Sequence, residues 1–150
     1  MITFRRYQDS DFEPILQNLL DINREEALKA GYPSVEGALS HSISASCGWV
    51  WTAECDGVPL AIFGVIPRSI QGIIWAVTTN LKEYKREIPK ALIGGMKHAM
   101  EKTPYDRYSN WMLDSNTVMK RLIAKHLGAE FTCTRDGGWT QFEIRRSNVL

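Results

Sequence analysis

Apolar and polar positions change period several times along the chain, and each change marks an element. Ile2 to Tyr7 alternates and stops at Asp9, which predicts a short strand. Phe12, Ile15, Leu16, Leu19, Leu20 and Ile22 recur at helical spacing and predict one helix ending before Gly31. Ser10-Asp11-Phe12-Glu13 reads as its capping box, and Pro14 falls in the first turn, where a missing N–H costs nothing. Ser34 with Gly37 to Ser46 predicts a second, weaker helix rich in Ser and His. Trp49 to Glu54 and Pro59 to Ile66 are strands joined at Asp56-Gly57, two residue types that tolerate positive φ. The almost continuous apolar run of the second predicts burial on both faces.

Ile73 to Val77 is a further strand. Leu81, Tyr84, Ile88, Leu92, Met96 and Ala99 then keep a 3.6-residue period, with Pro89 fitting as an early helical position. Tyr105 to Leu113 is a strand, and Asn116 to Leu127 a helix stopped by Gly128. Ala129 to Thr134 and Trp139 to Ile144 form a terminal hairpin about Asp136-Gly137-Gly138. The order β-α-α-β-β-β-α-β-α-β-β predicts an α/β (α+β mixed) fold. Its central twisted mixed sheet would have about seven strands, with about four helices on its two faces. No repeat, linker or low-complexity stretch divides residues 1–150, so one domain is expected.

Composition narrows the function classes. Apolar residues make up 44%, charged residues 23%, and the formal net charge is +1, which argues against a general nucleic-acid binder. Met1 to Arg6 is no signal segment and no apolar run is long enough to span a membrane, so a cytoplasmic protein is expected. Cys47, Cys55 and Cys133 make no complete disulfide set and lack zinc-site spacing, and no metal motif or hydrolase elbow is present.

The strand at Ile73 to Val77, running into the helix after it, is a common way to hold a phosphate on unpaired helical N–H groups. Such turns are usually glycine-rich, whereas Tyr84-Lys85-Arg86-Glu87-Ile88-Pro89 has no glycine. Lys82, Lys85, Arg86, Lys90 and Lys97 are also readable as the wet face of an amphipathic helix. Gln71 to Val77 carries no acid or histidine, and His41, His98 and His126 fall on three different helices. Asp114-Ser115-Asn116, at a strand-to-helix junction, fits helix capping. Trp49, Trp51, Trp75, Trp111 and Trp139 all fall on strands, without the basic stripe of a base-stacking platform.

The order of elements and several local phrases resemble the GNAT acyltransferase superfamily over nearly the whole chain. Ile2 to Arg6 with Asp11 to Ile15 resembles the family's opening strand and helix. Trp75-Ala76-Val77 to Lys90-Ala91-Leu92 resembles its central strand, cofactor loop and helix. Asn116 to Lys125, then Leu127-Gly128-Ala129-Glu130-Phe131, resembles its closing phrase. Within the superfamily the chain looks most like small phage-encoded members of the internal core protein A type, through its Trp-containing strand, glycine-poor basic loop, Asn-Thr helix start and Thr134 to Gly137 turn.

The resemblance implies acetyl-coenzyme A as acyl donor and no metal. The backbone of Ala76 and Val77 would orient the thioester. Lys85, Arg86 and Ile88 would hold phosphates, with Asn116 a further cofactor-binding candidate. The family's two loop glycines are Glu87 and Pro89 here. Its usual acid, a tyrosine before the closing Gly, maps onto Ala124, and Tyr105 and Tyr108 are poor substitutes. Catalytic residues are therefore unassigned. Two readings follow: an N-acyltransferase with a degenerate cofactor loop, or a non-catalytic phage protein acting in virion assembly or host interaction. The first needs a small-molecule acyl donor, and the second protein partners from phage or host. Neither implies nucleic acid or membrane.

Overall fold

Residues 1–150 are described by a computed structural model, and its strands follow the alternating stretches closely. They are β1 (Ile2–Arg6), β2 (Val50–Cys55), β3 (Val58–Pro67), β4 (Gly72–Thr78), β5 (Arg107–Leu113), β6 (Glu130–Arg135) and β7 (Trp139–Arg145). They form one mixed sheet in the order β1-β2-β3-β4-β5-β7-β6, in which only β4 and β5 pair in parallel. Asp56 (φ 53°) and Gly57 (φ 77°) both adopt the left-handed conformation that the β2–β3 turn requires.

Five helices flank the sheet: α1 (Phe12–Gln17), α2 (Asp21–Lys29), α3 (Val35–Ala45), α4 (Glu87–Glu101) and α5 (Thr117–Leu127). α4 and α5 cover one face, where Phe63, Met96, Met100, Tyr108, Ile123 and Phe142 make the larger core. α4 lies very close to the sheet. A Cβ on Gly94 would sit 2.7 Å from the Phe4 ring, and one on Gly95 2.7 Å from the Phe63 ring, so glycine is what lets the helix seat. On the opposite face Ile15, Leu19, Leu39, Val50, Ile62 and Trp75 form a second core under α1 and α3. β3 is sandwiched between these layers, and Leu60 to Val65 are buried as the apolar run predicts. β5 and β7 pack Tyr108, Met112, Phe142 and Ile144 into the larger core on the α4/α5 side. β6 is exposed throughout.

Two expectations at the N-terminal end need correction. The single first helix is two helices. Its middle is drawn to the end of β4: Leu20 N–H donates to Thr78 O (2.9 Å), Asn80 N–H to Asn18 O (2.8 Å), and Leu19 bridges to Thr79. Backbone spent on that strap cannot propagate a helix, which is why five helices form rather than four. The cap is also not centred on Ser10, which is exposed. Gln8 N–H donates to the Asp11 carboxylate (3.0 Å), which also accepts two bonds from Arg5 (2.8 and 2.7 Å) and one from Thr52 (2.7 Å). Burial pushes the Asp11 carboxyl up, but the bonds from Arg5, Gln8 and Thr52 outweigh it and hold the group below the ordinary carboxylate range.

Candidate active site

The sheet opens between its two parallel strands. β4 and β5 pair only at Gly72–Tyr108 and Ile73–Ser109, and then diverge. Asn110 ends the ladder. Its side-chain amide donates to Ile74 O (2.9 Å), and its side-chain oxygen accepts the Trp111 N–H (2.7 Å) that would otherwise continue the pairing. Above it, α2 props the two strands apart from its Asn23 and Glu26, three residues apart on one helix face. Asn23 Oδ1 accepts the Thr78 N–H of β4 (3.1 Å), and Glu26 Oε2 accepts the Leu113 N–H of β5 (2.8 Å). Ile74 and Thr78 thus both turn polar backbone groups into the gap. Ala76, midway between them, does the same by strand alternation, but no group of β5 reaches it. A backbone N–H facing an unpaired gap is a ready donor.

Two cavities meet there. One, of about 400 Å³, lies on the α4/α5 side between the N-terminal halves of those helices. Ile88, Pro89, Leu92 and Leu122 give it apolar walls, and Thr78, Asn80, Ser115 and Asn116 a polar edge. The other, of about 490 Å³, lies on the opposite face beneath α2 and α3. Trp75, Trp111, Trp139 and Leu39 line it, along with Glu26, Arg68 and Arg135. Asn23, Ala76 and Met119 line both cavities and mark the passage between them.

Glu26 is the acid that sequence reasoning missed. It follows Arg24-Glu25 in a charged run that reads as a wet helix face, and only the strap that breaks α1 from α2 turns it into the gap. Burial raises its pKa above the ordinary glutamate value. The Leu113 N–H and the Asn116 and Asn23 side chains pull the other way without cancelling that effect. A carboxylate with a raised pKa on a cleft wall is suited to accept a proton near neutral pH.

The residues singled out from the sequence are divided among these features. Ala76, Ile88 and Asn116 line the α4/α5-side cavity, and Asn116 also caps α5 through the Met119 N–H (3.4 Å). Val77 lines the opposite cavity instead. Lys85 and Arg86 are exposed at the mouth of α4 and line neither cavity. The turn before α4 is a tight 3-10 segment, Lys82–Tyr84, and α4 then begins with Glu87, Ile88 and Pro89. Its first turn therefore offers the N–H groups of Glu87 and Ile88, lacks one at Pro89, and places a carboxylate at its first position.

The other sequence candidates lie elsewhere. His98 packs against Phe4, Trp51 and Phe63 on the α4 side of the sheet, and burial lowers its pKa. His126 is exposed on α5, as is Ala124. Tyr108 is buried and bonded to Thr103 (2.7 Å), and Tyr105 packs edge-on against Trp49 and Tyr108. His41 lines the α2/α3-side cavity. No group of three or more His, Cys, Asp or Glu is placed to hold a metal ion, and no helix is long and apolar enough to cross a membrane.

No protein-family model matches the sequence, and no curated protein matches it. Solved structures do match. The chain is similar to the GNAT domain of S. lividans PAT at 14% identity and a TM-score of 0.72, over 95% of this chain and 89% of that one. It is similar to the PaiA N-acetyltransferase of Thermoplasma acidophilum, solved in complex with coenzyme A, at 16% identity and a TM-score of 0.67, over 97% of this chain and 99% of that one. It is also similar to the ribosomal-protein-S18-alanine N-acetyltransferase of Escherichia coli at 13% identity and a TM-score of 0.62, over 97% and 94%. At these identities the likeness establishes architecture: the chain has the GNAT fold.

Proposed function

We propose that the chain is an N-acyltransferase that moves an acetyl group from acetyl-coenzyme A to an amine. The observation that carries this is the gap between β4 and β5, where a free Ala76 N–H lies at the passage between the two cavities and Glu26 stands on one wall. When bound, acetyl-coenzyme A would supply an activated acyl carbon, to which the amine nitrogen bonds as the C–S bond breaks and the sulfur leaves with the electron pair. The apolar walls at Ile88, Leu92 and Leu122 suit the pantetheine arm. The helix mouth fits the pyrophosphate less well, because Glu87 opposes an anion and Pro89 lacks a donor. Side-chain charge from Lys85 and Arg86 is what it offers in compensation.

This chain's own contributions can be assigned in order. Ala76 N–H is the donor available to a carbonyl oxygen in the gap, in the manner of an oxyanion hole. Glu26 takes the proton of an incoming ammonium and delivers the neutral, nucleophilic amine. No tyrosine lines the α4/α5-side cavity, so the second proton lost by the nitrogen would reach the departing sulfur through water. Isothermal titration with acetyl-coenzyme A tests the reading. An absence of heat at millimolar ligand overturns it.

The glycine-free helix mouth favours a second reading, a non-catalytic protein that keeps the fold and uses its surface. The resemblance to phage-encoded members makes its partners phage or host proteins, met in the host cytoplasm or the virion. A crystal soaked with coenzyme A decides between the two. Pyrophosphate ordered on the N–H groups between Lys85 and Ile88 refutes this second reading.

A further inference from the structure

The α2/α3-side cavity carries more charge than the transfer reaction itself uses. Its carboxylate, Glu26, is half-buried and fixed on the Leu113 N–H of β5. Arg135 is exposed on β6, at the open edge of the sheet. Its guanidinium lies 4.5 Å from the centre of the Trp111 ring and 5.4 Å from that of Trp139, so two indole faces hold it in place. Arg68 lines the same cavity. Neither arginine has a carboxylate partner in the protein.

Leu113 pairs with Trp139, and Trp139 with Arg135, so the backbone anchors of Glu26's site and of Arg135 are two strands apart. At sheet spacing that separation is roughly 10 Å. Between them the wall is aromatic, at Trp111 and Trp139, and Trp75 extends it on the β4 side. A fixed anion inside, a stacked and unpartnered cation at the rim and an indole floor between define a complementary molecule.

We infer that the acceptor is a small amino acid-like amine with an anionic group at the far end of an apolar body, its amine held at Glu26 and its anion at Arg135. An unblocked dipeptide has this chemistry. The assignment rests on the acyltransferase reading for the word acceptor, but the recognition itself does not depend on catalysis.

Tryptophan fluorescence reads binding directly, because three indoles line the cavity, and needs no acyl donor. The probes are phenylalanylglycine, its C-terminal amide and its N-acetyl derivative. The free dipeptide is expected to change the emission and to bind at least about tenfold more tightly than either blocked form, as expected for loss of one charge-assisted contact. In Arg135→Gln the preference over the amide disappears while the preference over the N-acetyl form remains. In Glu26→Gln the pattern reverses. Equal binding of the acid and the amide by the native chain, or binding of none of the probes, overturns the inference. Binding without any acetyl transfer overturns the acyltransferase reading alone. Acetyl transfer to phenethylamine as fast as to phenylalanylglycine overturns the acceptor class alone.

Discussion

The two cavities that meet at Ala76 are built in opposite ways. The α4/α5-side cavity owes its helix mouth to one continuous piece of chain, β4 running through a short turn into α4. The opposite cavity is assembled from residues far apart in sequence, with Asn23 and Glu26 from α2, Trp75 from β4, Trp111 from β5 and Arg135 from β6. The helix mouth carries no small residue that would bring backbone close to an anion. The assembled cavity keeps paired, pre-positioned chemistry: a carboxylate on a strand N–H and a guanidinium on two indoles. Chemistry visible in a local motif and chemistry created by packing are therefore separable in this molecule, and each can be disturbed without the other.

The largest expected effect separates them at the assembled side. Glu26→Gln keeps an oxygen for the Leu113 N–H but cannot take a proton, so coenzyme thiol release in the presence of an amine should fall by about 10²- to 10⁴-fold. Because the native group must be ionised, the native rate should fall as pH drops through the raised Glu26 pKa, at a higher pH than an ordinary glutamate would give. Stability has the opposite sign. A carboxyl whose folded pKa is raised costs stability where it is ionised, and the cost lifts as pH falls through that raised value. Urea unfolding at neutral pH should therefore find Glu26→Gln no less stable than the native chain. Asp11 provides the contrast, because its folded pKa is lowered. Its contribution is present above the ordinary carboxylate value and is lost as pH falls through the folded one.

Next comes the seat of α4. Gly95→Ala would set a Cβ 2.7 Å from the Phe63 ring, and overpacking of this kind costs about 1–3 kcal/mol, which urea denaturation would measure. As α4 forms a wall of the α4/α5-side cavity only, coenzyme affinity should fall while the fluorescence response to phenylalanylglycine persists. Loss of both together would mean that the two cavities are not separable.

The division between local and assembled features also sets how much was legible beforehand. Strand alternation, the Asp56-Gly57 turn and the Gly128 stop mark their elements because the physics there is local. The seven-strand mixed sheet follows from their order. The gap itself had one local signal, Asn110 in the middle of a strand, a residue type that strands disfavour. What it does depends on where Ile74 lies. Glu26 had no signal of its own, since Asn23 and Glu26 three apart look like any wet helix face until the strap from Asn18 to Leu20 turns that face inward. The broken first helix escaped for the same reason. Its apolar period runs through the break, and only the hydrogen bonds of Leu20 with Thr78 and Asn18 with Asn80, 58 and 62 residues away, interrupt it.

At the helix mouth, Glu87→Gly with Pro89→Gly would remove the opposing carboxylate and restore a donor. Coenzyme affinity should rise by about tenfold, the value of one charge-assisted contact. The exchange carries a stability cost of up to about 1 kcal/mol per glycine placed in the helix. Calorimetry of the variant would read the first effect and urea unfolding the second. Unchanged affinity would mean that the phosphates do not approach this turn at all.

The smallest effect tests what remains of the mouth. Lys85 and Arg86 are exposed, so each attraction to a phosphate works through water and is worth only about 0.3–1 kcal/mol. Lys85→Ala and Arg86→Ala should then each weaken coenzyme binding by roughly twofold to fivefold, with no change in phenylalanylglycine binding in either one or in the double variant. Ionic strength discriminates further. Screening shortens from about 10 Å at 0.1 M salt to about 3 Å at 1 M, so the native affinity should fall with added salt and the double variant should lose much of that slope. If these side chains are only the wet face of α4, affinity and slope will both be unchanged. The coenzyme would then be held by the apolar walls and Ala76 alone, and the helix mouth would contribute to the fold and not to binding.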